Sequence, residues 1–311
     1  MTDVDTAPVL LVGAGAAGVS AALWLADYGV PFDWIDASGR VGGMLNRVHN
    51  RIVNYPGGIF PSGQELCEVL DEQRQRRDLR LRRATLEHFE TVDDALCVGV
   101  DGRTRNVERL LLATGTAYRQ LEIPGELEGA GRWVSQSAAA EASRFAGRRV
   151  AVVGGGDAAF ENALRLADED CSVTLLLRSP HRARPQFALA VDAHCSIDVA
   201  PIPSVVTRIE QRDEGCRLHI DERGQKSTLD VACLFVRIGV DPVLPAGCET
   251  LQSDAHGFLV VDPQGRTSEP GLLAAGDVTS TSLRSVTTAV GQGARAAHCC
   301  AAELNYLGPL P

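Results

Sequence analysis

With 311 residues, 45% hydrophobic and 23% charged, the chain has a globular composition and enough length for two domains with sizeable cores. Its net charge of -10 disfavours nucleic acid as a partner, and no apolar run approaches the ~20 residues of a membrane span. Nine cysteines are scattered with no C-x-x-C, only Cys299 and Cys300 being adjacent, which points to reduced thiols in a cytoplasmic protein, with no export signal in the acidic N-terminal stretch and no metal site.

The first elements organise the rest. Residues 9–12 are all apolar and read as a buried strand running into Gly13, Gly15 and Gly18, spaced G-x-G-x-x-G, with an Ala-rich helix expected over about 14–26. Gly13 serves the tight turn, Gly15 lets the backbone approach a pyrophosphate, and Gly18 lets the helix pack closely on the sheet. The helix N-terminus favours phosphate charge. A second strand, 32–35, ends in Asp36, at the offset where a carboxylate reaches ribose hydroxyls. The alternative is a Gly-rich turn in another kind of α/β domain.

Gly42-Gly43 and Asn54-Tyr55-Pro56-Gly57 read as loops, with His49 between them as either an acid/base group or a structural histidine. A helix is expected over about 62–77, with Ser62 as N-cap and Glu65 closing a capping box. Arg74, Arg76, Arg77, Arg80, Arg82 and Arg83 form a basic patch, either a solvated helix end or a docking surface for an acidic partner. Strands are expected over 86–100 with a turn at Asp101-Gly102, then a buried strand over 110–112 running into Ala113, Thr114 and Gly115. Pro124-Gly125-Glu126 reads as a linker.

The pattern then restarts. Residues 150–153 form a second apolar strand, followed by GGGDAA at 154–159, a helix over 157–167 with Asp157 as N-cap, and a strand over 173–177 ending in Arg178. This repeats the first unit at nearly the same internal spacing, but with arginine where the first has Asp36. An arginine grips a 2′-phosphate that a carboxylate would repel, so Arg178, with Arg182 and Arg184 nearby, reads as a preference for NADP over NAD; ordinary surface charge is the alternative. Further strands are expected over 205–220 and 229–238, then a strand over 272–275 with Gly276-Asp277 and a final helix over about 286–304. Two nucleotide sites in one chain point to a flavin dinucleotide paired with a nicotinamide dinucleotide.

GAGAAG at 13–18, Gly42-Gly43, NYPG at 54–57, ATG at 113–115, PGE at 124–126, GGGDAA at 154–159, FVRIG at 235–239 and AAGD at 274–277 follow one another along almost the whole chain. In this set the sequence resembles the low-molecular-weight thioredoxin reductases. The resemblance implies an α/β fold of two Rossmann-like, three-layer ββα dinucleotide-binding domains. An FAD-binding domain would comprise 1–117 and 241–311, with an NADPH-binding domain at 118–240 between them. For FAD it implies Gly13, Gly15, Ala17, Gly18, Asp36, Gly43, Asn54, Ala113, Thr114, Gly115, Gly276 and Asp277, the last at the ribityl chain. Ser285 and Val286 would face the flavin ring from a helix N-terminus. For NADPH it implies Gly154, Gly156, Asp157, Ala158 and Ala159 with Arg178, Arg182 and Arg184. It further implies a homodimer and rotation of the middle domain about hinges near 116–118 and 237–241.

One departure decides the chemistry. The family carries a C-x-x-C dithiol shortly before the second glycine motif, and here those two positions fall on Ser137 and Ala140, which cannot relay a disulfide. Met44 replaces the family's glutamine after the GG pair, and Ser179 its second NADPH arginine. Three readings follow. The first is a reductase of ferredoxin or flavodoxin, a sister family that also lacks the dithiol; against it, the chain ends at Leu310-Pro311 without that family's aromatic extension. The second is a flavin oxidase or reductase of a small molecule, with Ser137, Ala140 and His49 at the flavin face. The third is an NADPH-independent flavoprotein, a redox sensor or a structural subunit.

Overall fold

Alternation along the strand Val9–Val12 sends Val9 and Leu11 to one side and Leu10 and Val12 to the other, and all four are buried. A strand buried on both faces needs cover on both. The computed structural model, which describes residues 7–93 and 95–307, supplies a different layer for each. The strand is the centre of a parallel sheet in the order Leu272–Ala274, Arg109–Leu112, Val9–Val12, Phe32–Asp36, Arg82–Arg83. Val9 and Leu11, with Trp34, Leu111 and Leu273, pack against the helices Ala16–Asp27, Gly63–Arg76 and Val286–Glu303. Leu10 and Val12, with Ile35, Leu110 and Leu112, pack against an antiparallel sheet of Leu86–Val92, Ala95–Val100 and Arg103–Val107. Each fully buried aliphatic side chain among them contributes about 1.5–3 kcal/mol.

The edge strand Leu272–Ala274 and the last helix come from the C-terminal part of the chain, so this unit comprises Met1–Ala117 and Asp241–Pro311. The first and last helices approach unusually closely. A Cβ at Gly293 would stand 2.1 Å from the carbonyl oxygen of Ala17, and the Ser20 hydroxyl donates to the Val290 carbonyl at 2.8 Å.

The second unit, Tyr118–Val240, repeats the scheme. Its parallel sheet runs Val134–Ser135, Leu234–Val236, Arg149–Val153, Ser172–Leu176, Ile197–Val199. Val150, Val152, Val173, Leu175 and Phe235 face the helices Asp157–Asp168 and Pro185–Asp192. Ala151, Val153, Leu176, Leu234 and Val236 face the antiparallel sheet of Val205–Arg212, Gly215–Glu222 and Gln225–Val231. The fold is thus α/β, built of two Rossmann-like three-layer units as the family resemblance implied.

Several local expectations are corrected. Ser62 does precede its helix in an extended conformation, but its side chain accepts no capping bond, so the box with Glu65 does not form. The entry is fixed instead by packing: the Gly63 N–H donates to the Val48 carbonyl at 2.7 Å, and a Cβ on Gly63 would stand 2.1 Å from the Leu45 oxygen. Asp157 is not an N-cap; Gly156 is. Pro124-Gly125-Glu126 is not a linker. Gly125 has φ 90°, a Cβ there would lie 1.9 Å from the Ile209 oxygen, and the buried Glu126 carboxylate accepts the N–H groups of Leu121 and Glu122 at 2.9 and 2.8 Å.

The basic patch is mostly neutralised. Arg74 pairs with Asp71, Arg76 with Glu72, Arg77 with Asp27, and Arg82 with the buried Asp33. Arg83 donates to the Ala37 carbonyl, leaving Arg80 without a partner among the described residues. The acidic residues 3 and 5 and the chain end Leu310-Pro311 lie outside the described residues.

Candidate functional site

In the discontinuous unit the three glycines of the first motif divide their tasks. Gly13 has φ +106°, and a Cβ there would be 2.2 Å from the Ala113 oxygen; a Cβ on Gly18 would be 2.0 Å from the Gly13 oxygen. Both are needed for packing. Around Gly15 nothing lies within 4 Å of a built Cβ. Gly15 is also the N-cap of the first helix, which starts at Ala16 and not at 14, and no side chain caps it. The loop therefore presents open space in front of unpaired backbone N–H groups, the arrangement a phosphate occupies.

The surrounding loops are tied to this cradle. Asp36, at the end of its strand, accepts the Ala14 N–H through Oδ2 at 3.0 Å and the Ser38 N–H and hydroxyl through Oδ1 at 2.8 and 2.6 Å. Much of its accepting capacity thus holds the loop in shape. Gly42 donates to the Ala14 carbonyl at 2.8 Å, and a Cβ on Gly43 would come within 3.4 Å of Gly15 Cα. Ala113 donates to Val12 at 2.7 Å, and Gly115 accepts from Val243 at 3.0 Å. Between them the Thr114 hydroxyl is buried with no hydrogen-bond partner. A native protein rarely leaves such a group orphaned, and a bound ligand or an ordered water supplies its partner. Asn54 and His49 are exposed, and Ala17 is buried against the last helix.

The last helix supplies the remaining wall. Ser285 is its N-cap, accepting the Thr288 N–H at 3.1 Å, and Val286 opens its first turn. Burial pushes the carboxyl of Asp277 above the usual carboxylate range, with Arg284 opposing. Gln292, which sequence reasoning missed, accepts the Gly276 N–H at 2.8 Å and donates to the Thr279 hydroxyl at 3.2 Å. It braces the AAGD turn from the second turn of the helix. No motif marks it, because its partners lie in a turn that only the fold brings alongside.

The second unit holds a parallel cradle. Gly154 has φ +140° and a Cβ there would meet the Arg237 oxygen at 2.1 Å, whereas Gly156 has nothing within 4 Å and caps the helix Asp157–Asp168. Ala158 is half-buried and Ala159, at the third glycine position, is fully buried. Arg178 and Arg182 are exposed and unpaired among the described residues, with the Arg182 N–H donating to the Gly155 carbonyl at 2.7 Å. The exposed Arg184 reaches Asp157: its N–H and Nε bind the Asp157 carboxylate at 2.7 and 2.6 Å, and those bonds hold Asp157 below the usual carboxylate range.

Ser137 is half-buried at the N-cap of the short helix Ala138–Glu141, and Ala140 is exposed on it. The buried Asn162 fixes this turn, accepting the Ala138 N–H at 2.7 Å and donating to the Ala158 carbonyl at 2.7 Å. All nine cysteines are free thiols. Cys299 and Cys300 are buried, and burial pushes them up to about 11 and about 12. Among the described residues no cluster of metal-ligating side chains forms.

The family pattern of the pyridine nucleotide-disulphide oxidoreductases matches residues 7–293. A thioredoxin reductase of Treponema pallidum is 32% identical over 98% of this chain and 99% of its own. A bifunctional thioredoxin reductase/thioredoxin of Mycobacterium leprae is 32% identical over 93% of this chain but 64% of its own length. Among solved structures, the thioredoxin reductase of Lactococcus lactis in its FR conformation covers 97% of this chain and 100% of its own, at 28% identity and a TM-score of 0.82.

Proposed function

The chain belongs to the pyridine nucleotide-disulphide oxidoreductase family, and from that premise we propose that it carries electrons from NADPH through FAD to an acceptor outside the chain, with no dithiol in between. FAD and NADPH are the cofactors, as in its thioredoxin reductase homologues. The discontinuous unit takes FAD and the inserted unit NADPH. Bound FAD supplies the exchange of two-electron for one-electron steps that no side chain offers.

The chain's own groups bind and orient. The open loop at Gly15 and the N–H groups of the first helix take the FAD pyrophosphate, and the Thr114 hydroxyl gains the partner the protein denies it. Asp277 accepts from a ribityl hydroxyl, and the N-terminus of the last helix steadies negative charge on the ring. In the inserted unit Gly156 fronts the second pyrophosphate, while Arg178 and Arg182 grip the 2′-phosphate with Arg184, braced at Nε by Asp157, beside them.

The observation that carries the reading is the combination of two glycine cradles with the absence of C-x-x-C among the nine cysteines. The only adjacent pair is buried, with both thiols raised well above neutral pH, so neither is a thiolate relay. This favours a reductase of ferredoxin or flavodoxin type. A second reading, reduction or oxidation of a small molecule, is supported by Ser137 and Ala140, which leave hydroxyl and methyl where the family has sulfur. A homodimer is part of the same proposal.

Anaerobic addition of NADPH to the FAD-loaded protein should bleach the flavin absorbance, and turnover with acidic ferredoxin or flavodoxin should then exceed turnover with O2, quinones or thioredoxin. Failure to bleach with NADPH would overturn the reading. Thioredoxin turnover would overturn the part without a dithiol.

A further inference from the structure

Between Asp36 and Glu65 the sequence contains no acidic residue, although acids outnumber bases 40 to 30 in the chain. The same stretch carries Arg40, Arg47, His49 and Arg51. Arg40 and Arg51 are exposed and make no ion pair among the described residues. At the centre of this stretch lies a two-stranded ribbon, Ile52–Tyr55 with Gly58–Phe60.

The ribbon is firmly seated. Ile52, buried, pairs with Phe60, and the Tyr55 and Phe60 rings stand 6.1 Å apart against the helix-side core. Its other side does the opposite. Val53 is 64% exposed and Ile59 62% exposed, and the register places Ile59 across from the Val53–Asn54 step. Two aliphatic side chains on a well-anchored ribbon are therefore held out to solvent, with Arg51 next to the ribbon in sequence and no acid between Asp36 and Glu65. The loop that leads into this ribbon also holds Gly43 against Gly15 of the first cradle.

We propose that this face docks an acidic redox protein that carries an apolar contact patch; the inference rests on the reading of an external protein acceptor given above. Charge selects the occupant. An acidic partner is repelled by the chain's net charge of -10, and this stretch offers it cations with no intervening acid. With a Debye length near 8 Å at physiological ionic strength, the local face governs contact once the partner arrives. A second copy of this chain brings the same cations to a two-fold contact on this face and so offers no complementary charge. The patch at Arg74 to Arg83 is less suited, because Asp71, Glu72, Asp27 and Asp33 already neutralise most of it.

The test is direct binding to the FAD-loaded full chain by calorimetry, using an acidic 2Fe–2S ferredoxin and an acidic flavodoxin as probes. The salt should be about 0.1 M, where the Debye length is about 10 Å. At least one probe should bind saturably, and both Arg51→Glu and the double change Val53→Asp with Ile59→Asp should weaken that binding tenfold or more. Flavin content and NADPH bleaching should be untouched in both variants. No binding by either probe, unaltered binding in the variants, or a change in self-association in place of probe binding would each overturn the proposal. Loss of NADPH bleaching in the unsubstituted protein would instead strike the functional reading, and the two failures are distinguishable because binding is measured without turnover.

Discussion

Asp277 stands half-buried with no hydrogen bond to its carboxylate among the described residues, and burial lifts its pKa above the ordinary value. In the FAD-free chain the folded state therefore keeps a proton that the unfolded state has already released, across the interval between the two values. Stability falls as pH rises through that interval. Asp277→Asn has no proton to lose, so the FAD-free variant should melt above its parent at about pH 7 and level with it at about pH 3, below the reference carboxylate pKa. A difference in Tm that stays flat over that range would contradict the assignment. The residue scale is also where the sequence was least legible. Arg178, Arg182 and Arg184 look equivalent in LRSPHRARP, yet only the fold shows Asp157 holding Arg184. Thr114 is an ordinary letter in an ATG motif until its hydroxyl is found buried and alone.

At the scale of elements, legibility followed burial. Strands buried on both faces, such as Val9–Val12 and Arg149–Val153, declare themselves as unbroken apolar runs because parallel strands in a covered sheet have no polar face. Caps were misread, and the patch was left with two readings, because the deciding partners are distant in sequence: Asp27 lies 50 residues from Arg77, and Asp33 lies 49 from Arg82. The closest packing between elements is also the most vulnerable. Gly293 lets the last helix press onto the backbone of Ala17, and a Cβ would intrude to 2.1 Å from a carbonyl that cannot move without shifting the first helix. Gly293→Ala should therefore cost about 1–3 kcal/mol. It should also loosen FAD, since the same two helices present their N-termini to the cradle. Denaturant unfolding together with flavin content after gel filtration checks both. Parental stability with full flavin would show that the helices can part cheaply.

At the largest scale the residues alone showed that the strand–glycine–helix–strand pattern occurs twice, and the insertion of one unit within the other was an expectation drawn from the family resemblance. Each unit closes its own cores. The clusters around Leu11 and Leu10 draw only on 7–117 and 241–307, and those around Val152 and Val153 only on 118–240. The inserted unit also begins and ends at one place, with the Arg119 N–H donating to the Gly239 carbonyl at 3.0 Å. A fragment of residues 118–240 should accordingly fold alone and melt cooperatively. A fragment of 1–117 should not, because it lacks the edge strand Leu272–Ala274 and the last helix. In the full chain, calorimetry should resolve two transitions. A ligand that binds only the folded form stabilises its own unit by about 2.7 kcal/mol at a hundred times its Kd. FAD should therefore raise one transition, and adenosine 2′,5′-bisphosphate, which carries the 2′-phosphate expected at Arg178 and Arg182, should raise the other. A single transition moved by both ligands would mean that the two cores unfold as one, and that the second cradle is not an independent nucleotide site.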